Sequence, residues 1–347
     1  MKNPRVLFIL KLRHIYSNYN AELKSSGLLN SALFVKDMLD KNGYETKLAQ
    51  VVDANSIDRE VHQYRPDIVI LEALWVPPAK FHILQKLHPN VKWVVRVHSE
   101  IPFLAHEGIA INYLSEYIKH KNVYISFNSK ETQRDFEHYF HHSSKLIYLP
   151  NYYPVRHRKI HTHKHMAKRI LNVACFGAIR PLKNTMSQAF AAVEFAELNG
   201  YQCYFHINVD RVEGNAEPIL KNLRHFFGEL CGKHILVEHK WMDHSEFLEL
   251  ISTMDICLQV SMSETFNICT ADAIEQGVPV VVSNQIPWVP ELFHADPTDV
   301  SSIVHAMKRA LLFDVWFHWL HWSRRKLMSY SNRSKKIWIE NLTRLFC

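Results

Sequence analysis

The sequence predicts an α/β protein built from two parallel-sheet domains, each with helices on its faces. Three observations carry that expectation. The length of 347 residues is about twice that of one domain. Short apolar runs alternate with helix-length amphipathic segments along the whole chain. A polar, basic stretch without apolar periodicity, His157-Arg158-Lys159-Ile160-His161-Thr162-His163-Lys164-His165, lies near the middle and reads as a linker.

In the first half, strands are expected at 5–10, 45–51, 67–71, 91–97, 122–126 and 145–149. The first helix is the clearest: Ser25 and Ser26 offer caps, and Leu28, Ala32, Val35 and Leu39 form one stripe. Gly43 suits its left-handed end. In the second half, strands are expected at 171–176, 202–208, 233–238, 255–260 and 278–282, with helices ending near Gly200 and Gly277. After about 299 the pattern turns helical to the end. The expected division is therefore 1–155, a linker at 156–169, a second domain at 170–314, and a terminal helix at 315–347 that can cross back to the first. Two similar domains facing each other across a cleft is the architecture this rhythm implies, with ligands beyond the carboxyl ends of the strands.

Composition removes several function classes. Apolar residues make up 47% and charged residues 22%, the balance of a globular protein with material for two cores. Glycine is scarce, 9 in 347 against a usual ~7%. No G-x-G-x-x-G and no G-x-x-x-x-G-K-[ST] occurs, which excludes the dinucleotide and phosphate-loop fingerprints. The six cysteines form no C-x-x-C pair and several sit in apolar runs, as reduced cytosolic thiols do. The apolar run at Val6–Leu10 is too short for a signal peptide, and no uncharged apolar run approaches 18 residues, so no membrane span is expected. The expected location is cytoplasmic, or peripheral at the inner membrane surface.

The net charge of +7 is unevenly placed. Residues 156–170 carry six basic side chains and no acid (Arg156, Arg158, Lys159, Lys164, Lys168, Arg169). Residues 320–347 carry seven (Arg324, Arg325, Lys326, Arg333, Lys335, Lys336, Arg344) against Glu340 alone. The remainder is mildly acidic. Two such clusters suit an anionic partner such as nucleic acid, a membrane surface or a phosphorylated acceptor; a solvated linker and a solvated helix are the plainer reading.

The most informative stretch runs from Ser261 to Val282. A strand ends near Val260, a polar loop follows, then a short helix, Gly277 and another strand. Glu264 falls in the loop, where a ligand would lie. The amides of Thr265, Phe266 and Asn267 open the helix and suit a phosphate. Asp272 stands among Ile268, Cys269, Ala271 and Ala273, where a carboxylate is costly unless paired, and two ribose hydroxyls would satisfy it. The alternative is that Asp272, Glu275 and Gln276 simply form the polar edge of the helix. Upstream, Phe176-Gly177-Ala178-Ile179-Arg180-Pro181-Leu182-Lys183-Asn184 follows a strand. Arg180 and Lys183 there are two bases in a loop beyond a strand end, where a ligand would lie, or ordinary surface bases.

These two stretches resemble the retaining nucleotide-sugar glycosyltransferases of the GT-B fold, group 1 or family 4-like. Glu264, Phe266, Ala273, Gly277, Pro279 and Val280 match in order the family's pattern of Glu, seven residues, Glu, helix and G-x-P-V. Asp272 takes the second acidic position, one methylene shorter than the usual Glu. The resemblance implies that the first acid contacts the donor sugar and the second the nucleotide ribose. It implies that Gly177, Arg180 and Lys183 form the diphosphate loop, although the family often has Arg directly after the Gly. Ser25-Ser26-Gly27 resembles the first glycine-bearing loop, with Gly27 alone where two glycines are common. His98, in Val97-His98-Ser99-Glu100, resembles a His that touches the donor sugar; a hydrogen-bonded His at a strand end is its plain alternative. Leu149-Pro150-Asn151 resembles the P-N-G turn before the interdomain linker, with Tyr152 in place of Gly.

The implied fold is two Rossmann-like domains, with the nucleotide on the second and the acceptor mainly on the first. The implied activity is hexosyl or pentosyl transfer from a nucleotide diphosphate sugar to a hydroxyl, with retention and with neither a metal nor a separate cofactor. His161, His163 and His165 lack a nearby Cys or carboxylate to complete a metal site, and no Asp-x-Asp occurs. No G-x-S-x-G occurs, and no Cys has an evident His partner. The acceptor is expected to be either an envelope glycan or lipid-linked sugar, with Trp316, Trp319, Trp322 and the terminal basic cluster at a membrane surface, or a hydroxylated base in DNA. The alternative from another class is a non-catalytic nucleic-acid-binding protein on a degenerate transferase scaffold.

Overall fold

The structure, a computed structural model, describes residues 4–12, 27–156, 169–314 and 318–346, with no side chain described between 312 and 321. Ser25, Ser26, Arg158, Lys159, His161, His163, Lys164, His165, Lys168, Trp316 and the Trp319 side chain lie outside these. The chain forms two compact units, Met1–Pro154 with Tyr330–Cys347, and Val155–Ser329.

In chain order the first unit holds β1 (Arg5–Lys11), α1 (Gly27–Asp40), β2 (Glu45–Val51), α2 (Ile57–Tyr64), β3 (Ile68–Glu72), α3 (Lys80–Leu87), β4 (Lys92–Val97), α4 (Ile101–Leu104), α5 (Ala110–Tyr117), β5 (Val123–Phe127), α6 (Lys130–Tyr139) and β6 (Leu146–Tyr148). The second holds β7 (Ile170–Ala174), α7 (Thr185–Leu198), β8 (Gln202–Asn208), α8 (Glu217–Glu229), β9 (Ile235–His239), α9 (His244–Ser252), β10 (Ile256–Gln259), α10 (Ile268–Glu275), β11 (Val280–Val282) and α11 (Val300–Asp314). A long last helix, α12 (His318–Phe346), begins in the second unit and ends in the first.

Both sheets are parallel throughout, in the orders β2-β1-β3-β4-β5-β6 and β11-β10-β7-β8-β9. All eleven strands fall where the sequence rhythm expects them. Their continuous Val, Ile and Leu runs are those of strands covered on both faces. Within β1 the two-residue period divides the burial. Leu7 and Ile9 join Val69, Leu71, Trp93 and Phe81 on one face. Val6, Phe8 and Leu10 join Val35 and Leu39 of α1 and Trp338, Leu342 and Leu345 of α12 on the other. The buried stripe of α12 runs through Ser323, Leu327, Ser331, Ser334, Trp338, Leu342 and Leu345, a spacing of three and four residues that keeps one helical face inward. Trp338 fastens it, its indole N–H donating to the Pro150 carbonyl at 2.7 Å.

In the second sheet the strand order reverses between β7 and β10, whose register pairs Ile256 with Val173 and Cys257 with Ala174. At such a reversal the loops leaving the two strands run to opposite faces and open a crevice between them. Those loops are 175–184 and 260–267, the two stretches singled out in the sequence.

Candidate functional site

The loop after β7 is shaped by two backbone conformations. Gly177 has φ +125°, and its N–H donates to the Asn208 side chain at 3.0 Å. A Cβ there would meet nothing within 4 Å, so the glycine serves conformation rather than space. Asn184, left-handed at φ 56°, closes a short turn over Pro181–Lys183 and sends its side-chain N–H groups to the Val260 and Pro297 carbonyls at 3.2 and 2.7 Å.

The two loops are stitched together. Met262 N–H donates to the Leu182 carbonyl at 2.8 Å. Buried Gln188 donates to the Lys183 carbonyl at 2.8 Å and accepts from Val260 N–H at 2.9 Å. At this seam Lys183 Nζ forms an ion pair with Glu264 Oε1. Glu264 also accepts from Ser261 and from Asn267, each at 3.1 Å. Both members keep part of their surface in water, 23% for Lys183 and 11% for Glu264, so the pair is open to an incoming ligand.

Asn267, left-handed at φ 64°, caps α10 by accepting from Thr270 N–H at 2.9 Å and donates to Gln259 at 2.7 Å. Phe266 is a packing residue as far as its ring is concerned. It is buried, stacks on Trp288 at 5.3 Å, and its carbonyl accepts the Trp288 indole N–H at 2.8 Å. Thr265, between Glu264 and Phe266 in the chain, is half-buried. Asp272 is 1% exposed and accepts from His244 Nε2 at 2.9 Å. Its burial cost is thus met by an imidazole of α9.

Arg180 has a carboxylate partner of its own. It bonds Glu213 of the β8–α8 loop, its Nε donating at 2.8 Å. Glu213 accepts in turn from Arg211 at 2.5 and 3.1 Å, and the Arg211 guanidinium lies 4.6 Å from the centre of the Trp241 ring. The thiols around this edge are inert. Burial pushes the Cys175 and Cys269 thiols up to about 12, with Asp272 adding to the shift at Cys269, so neither offers a thiolate at neutral pH.

The first unit carries the remaining predicted residues. Gly27 opens α1 and is exposed. His98 follows β4 and hydrogen bonds through Nε2 to Glu72, the last residue of β3. Glu72 and Arg96 are both fully buried and paired at 3.2 Å. Arg96 also donates to the Asn151 side chain at 2.9 Å, and Ser31 of α1 donates to the same oxygen at 2.8 Å. Burial alone would push Glu72 up, but Arg96 and His98 outweigh it and hold the carboxyl below its ordinary value. His98 is held below its own ordinary value by burial and by the Arg96 charge, against the pull of Glu72.

The structure therefore brings Gly177, Arg180, Lys183, Glu264, Thr265, Phe266, Asn267 and Asp272 to one edge of the second sheet. His98 and Gly27 belong to the other unit. Sequence reasoning missed Glu213, Gln188 and His244, and in the first unit Glu72 and Arg96. A signal existed for two of them. Asp243-His244-Ser245-Glu246 reads as a helix start, and the structure has a capping box there, while Glu72 is a lone acid ending an apolar strand. Among the described residues no group of three His, Cys, Asp or Glu side chains is placed to hold a metal, and no helix is long and apolar enough to cross a membrane.

No protein-family model matches the sequence, and no curated protein matches it. Many solved structures do. A sucrose-phosphate synthase from Thermosynechococcus elongatus superposes with a TM-score of 0.70 at 12% identity, covering 99% of this chain and 98% of its own. A UDP-forming α,α-trehalose-phosphate synthase from Burkholderia xenovorans does so at 0.63 and 12% identity, over 84% of this chain and 78% of its own. An α-glucosyltransferase in complex with UDP and a 13-mer DNA containing an HMU base matches at 0.68 and 13% identity, over 100% of both chains. The neighbours are GT-B glycosyltransferases, and the likeness is one of fold: two parallel α/β units with a helix at the carboxyl terminus.

Proposed function

We propose that the protein is a glycosyltransferase that moves a sugar from a nucleoside diphosphate to an acceptor hydroxyl. The observation that carries this reading is the Lys183–Glu264 pair, set where the loops of β7 and β10 meet. Breaking the sugar–phosphate bond leaves a diphosphate with added negative charge. Lys183 and Arg180 are the cations fixed beside the loop of Gly177, and a preorganised positive charge lowers the barrier where charge develops. When the diphosphate draws Lys183 away, Glu264 is released to accept from donor-sugar hydroxyls. The nucleotide lies on the second unit and the acceptor mainly on the first, and His98 takes the part of the sugar-contacting His that the resemblance implies. Retention and independence of metal follow from the family resemblance.

The acceptor in this reading is anionic. Arg325, Lys326, Arg333, Lys336 and Arg344 are exposed on α12, with Glu340 the only acid on that exposed face. Duplex DNA with a hydroxylated base is the favoured acceptor, because a neighbour holding DNA spans the whole chain. A membrane-surface glycan is the competing one.

The test is direct. Purified protein is offered a panel of nucleotide sugars, and release of the nucleoside diphosphate is followed with hydroxymethylated DNA and with glycolipid vesicles as acceptors. Transfer to DNA that disappears in Lys183→Ala and in Glu264→Ala supports the reading, and transfer to vesicles alone moves the acceptor to the membrane. Wild-type turnover in either variant removes that residue from the mechanism. Salt-sensitive DNA binding with no nucleotide-sugar binding would instead mark a binding protein on a transferase scaffold.

A further inference from the structure

We propose that Asn267 is a positioning residue that keeps Glu264 in place when the diphosphate draws Lys183 away; the proposal rests on the transferase reading above. An ion pair that exchanges partners needs a second hold on the member that stays. Without one, a carboxylate released from its cation turns toward water or follows the cation. The structure supplies that hold. Lys183 Nζ, Ser261 Oγ and Asn267 Nδ2 all meet the same oxygen of Glu264, Oε1, the last two at 3.1 Å each. When Lys183 leaves, a hydroxyl and an amide still anchor Oε1. The other oxygen, Oε2, carries none of these three donors and is the one left to accept from the sugar.

Of the two anchors Asn267 is the rigid one, since a hydroxyl can rotate. It is buried, and its amide is oriented by groups that leave no choice. Oδ1 accepts from the Thr270 N–H at 2.9 Å and from the Thr270 hydroxyl at 3.1 Å. A backbone N–H can only donate, so the oxygen must face it. The two Nδ2 protons then point to Glu264 and to Gln259 Oε1, the latter at 2.7 Å. Buried Gln259, the last residue of β10, is oriented by the same logic. Its Nε2 donates at 2.9 Å to the Phe176 carbonyl, which can only accept, so its Oε1 faces Asn267. The relay runs in one direction, from the first turn of α10 through two buried amides to the residue before Gly177, with a branch to Glu264. Amides aligned in this way polarise one another and strengthen each bond.

The backbone separates this role from that of a helix cap. Asn267 has φ 64°, a conformation that glycine adopts most easily. Glycine there would relieve the strain and lose little of the cap on α10. What it would not supply is the Nδ2 donor to Glu264.

The experiment compares Asn267→Gly and Asn267→Asp with wild type, in thermal melts and in release of nucleoside diphosphate from the nucleotide sugar that wild type uses. Asn267→Gly keeps the backbone and is expected to melt close to wild type. Its kcat/KM is expected to be lower by about tenfold or more, the worth of one hydrogen bond to a charged group. Asn267→Asp keeps the shape and the cap of α10 but sets an acceptor against Glu264 and Gln259, so its turnover is expected to fall below that of Asn267→Gly. A residue that did nothing but cap the helix would give the reverse order, with Asp beside Asn and both above Gly. That reverse order, or wild-type kcat/KM in Asn267→Gly, overturns this inference alone. Where Asn267→Asp does not fold, Asn267→Gly decides. Wild type that releases no nucleoside diphosphate from any nucleotide sugar removes the transferase reading and this inference with it.

Discussion

The carboxyl-terminal edges of the two sheets use the same chemistry, a carboxylate against a cation, in opposite settings. In the first unit Glu72 and Arg96 are both 0% exposed, and Arg96 also donates to Asn151 and to the Pro150 carbonyl, with its guanidinium 5.0 Å from the Trp338 ring. In the second unit Lys183, Glu264 and Arg180 all keep contact with water. A sealed pair cannot exchange partners without stranding a charge in a dry place. An open pair can, because water and ligand both reach it. The first edge is built to hold position, the second to change partners.

The sharpest way to break this contrast is to remove one member of each pair. Arg96→Ala leaves Glu72 buried without its main counter-charge and also removes the stacking on Trp338, so it should cost about 3–5 kcal/mol of stability. Chemical denaturation measures this, and a loss below about 1 kcal/mol would mean that the edge is not sealed. Lys183→Ala should do the reverse. With both partners partly solvated, the stability change is expected to stay within about 1 kcal/mol. Transfer turnover should fall by about 10²–10³-fold, the usual effect of deleting one preorganised charge-stabilising group. Loss of folding without selective loss of turnover would place Lys183 with Arg96 as a structural cation.

The same contrast explains what was legible in the sequence. Strand positions were legible throughout, because Val, Ile and Leu runs between amphipathic helices leave a parallel sheet little choice. The open edge was legible as well. Gly177, Lys183 and Glu264 stand in loops after strands, where charge and a left-handed glycine have no structural excuse. The sealed edge was not. Arg96 lies within β4 between Val95 and Val97, and only tertiary packing reveals that it meets Glu72 from β3, Asn151 and Trp338. His244 escaped for a similar reason, since its partner Asp272 is 28 residues away and on another helix. Glu213 was hidden because a surface acid between two arginines, Arg180 in space and Arg211 in sequence, looks like any solvated charge.

A smaller effect separates the interiors of the two units. Besides the carboxylates of Asp272 and Glu275, the second unit buries polarity as paired imidazole rings. His206, 7% exposed, shares a hydrogen bond of 2.9 Å with His239 and one of 3.2 Å with Asn172. Burial, and then the neighbouring His239, lower its pKa from 6.5 to about 4. A histidine with a depressed native value stabilises fully above its unfolded pKa. As pH falls from about 6.5 to about 4 the unfolded chain takes up the proton first, so stability declines by up to about 1.4 kcal/mol per pH unit and levels off below 4. His206→Gln should flatten that decline in thermal melts between pH 7 and 4. An unchanged acid slope would show that the loss arises elsewhere, with His98, also depressed, as the next candidate in the first unit.

The smallest effect on folding, and the most informative about the acceptor, belongs to α12. Arg325 and Lys336 are three turns apart, Lys326 and Arg333 nearly two, so they form adjoining exposed rows, while Leu327, Trp338 and Leu342 face inward. All four cations are exposed, and each Ala substitution should change stability by no more than about 0.5 kcal/mol. If the rows follow the phosphates of a duplex, each cation removed from a phosphate lowers the slope of log K against log salt by about 0.9, because each phosphate neutralised releases condensed counterions. The measurement is a salt titration of duplex DNA binding for wild type and the fourfold Ala variant. An equal slope in both would separate the basic face from DNA, leaving anionic vesicles, titrated in the same way, as the surface for these charges. An equal slope in both titrations would return α12 to a solvated helix whose work is done on its buried side. A difference confined to DNA would tie the most exposed chemistry of the chain to the least exposed, since the helix that offers these cations is anchored by the Trp338 ring against which Arg96 is sealed.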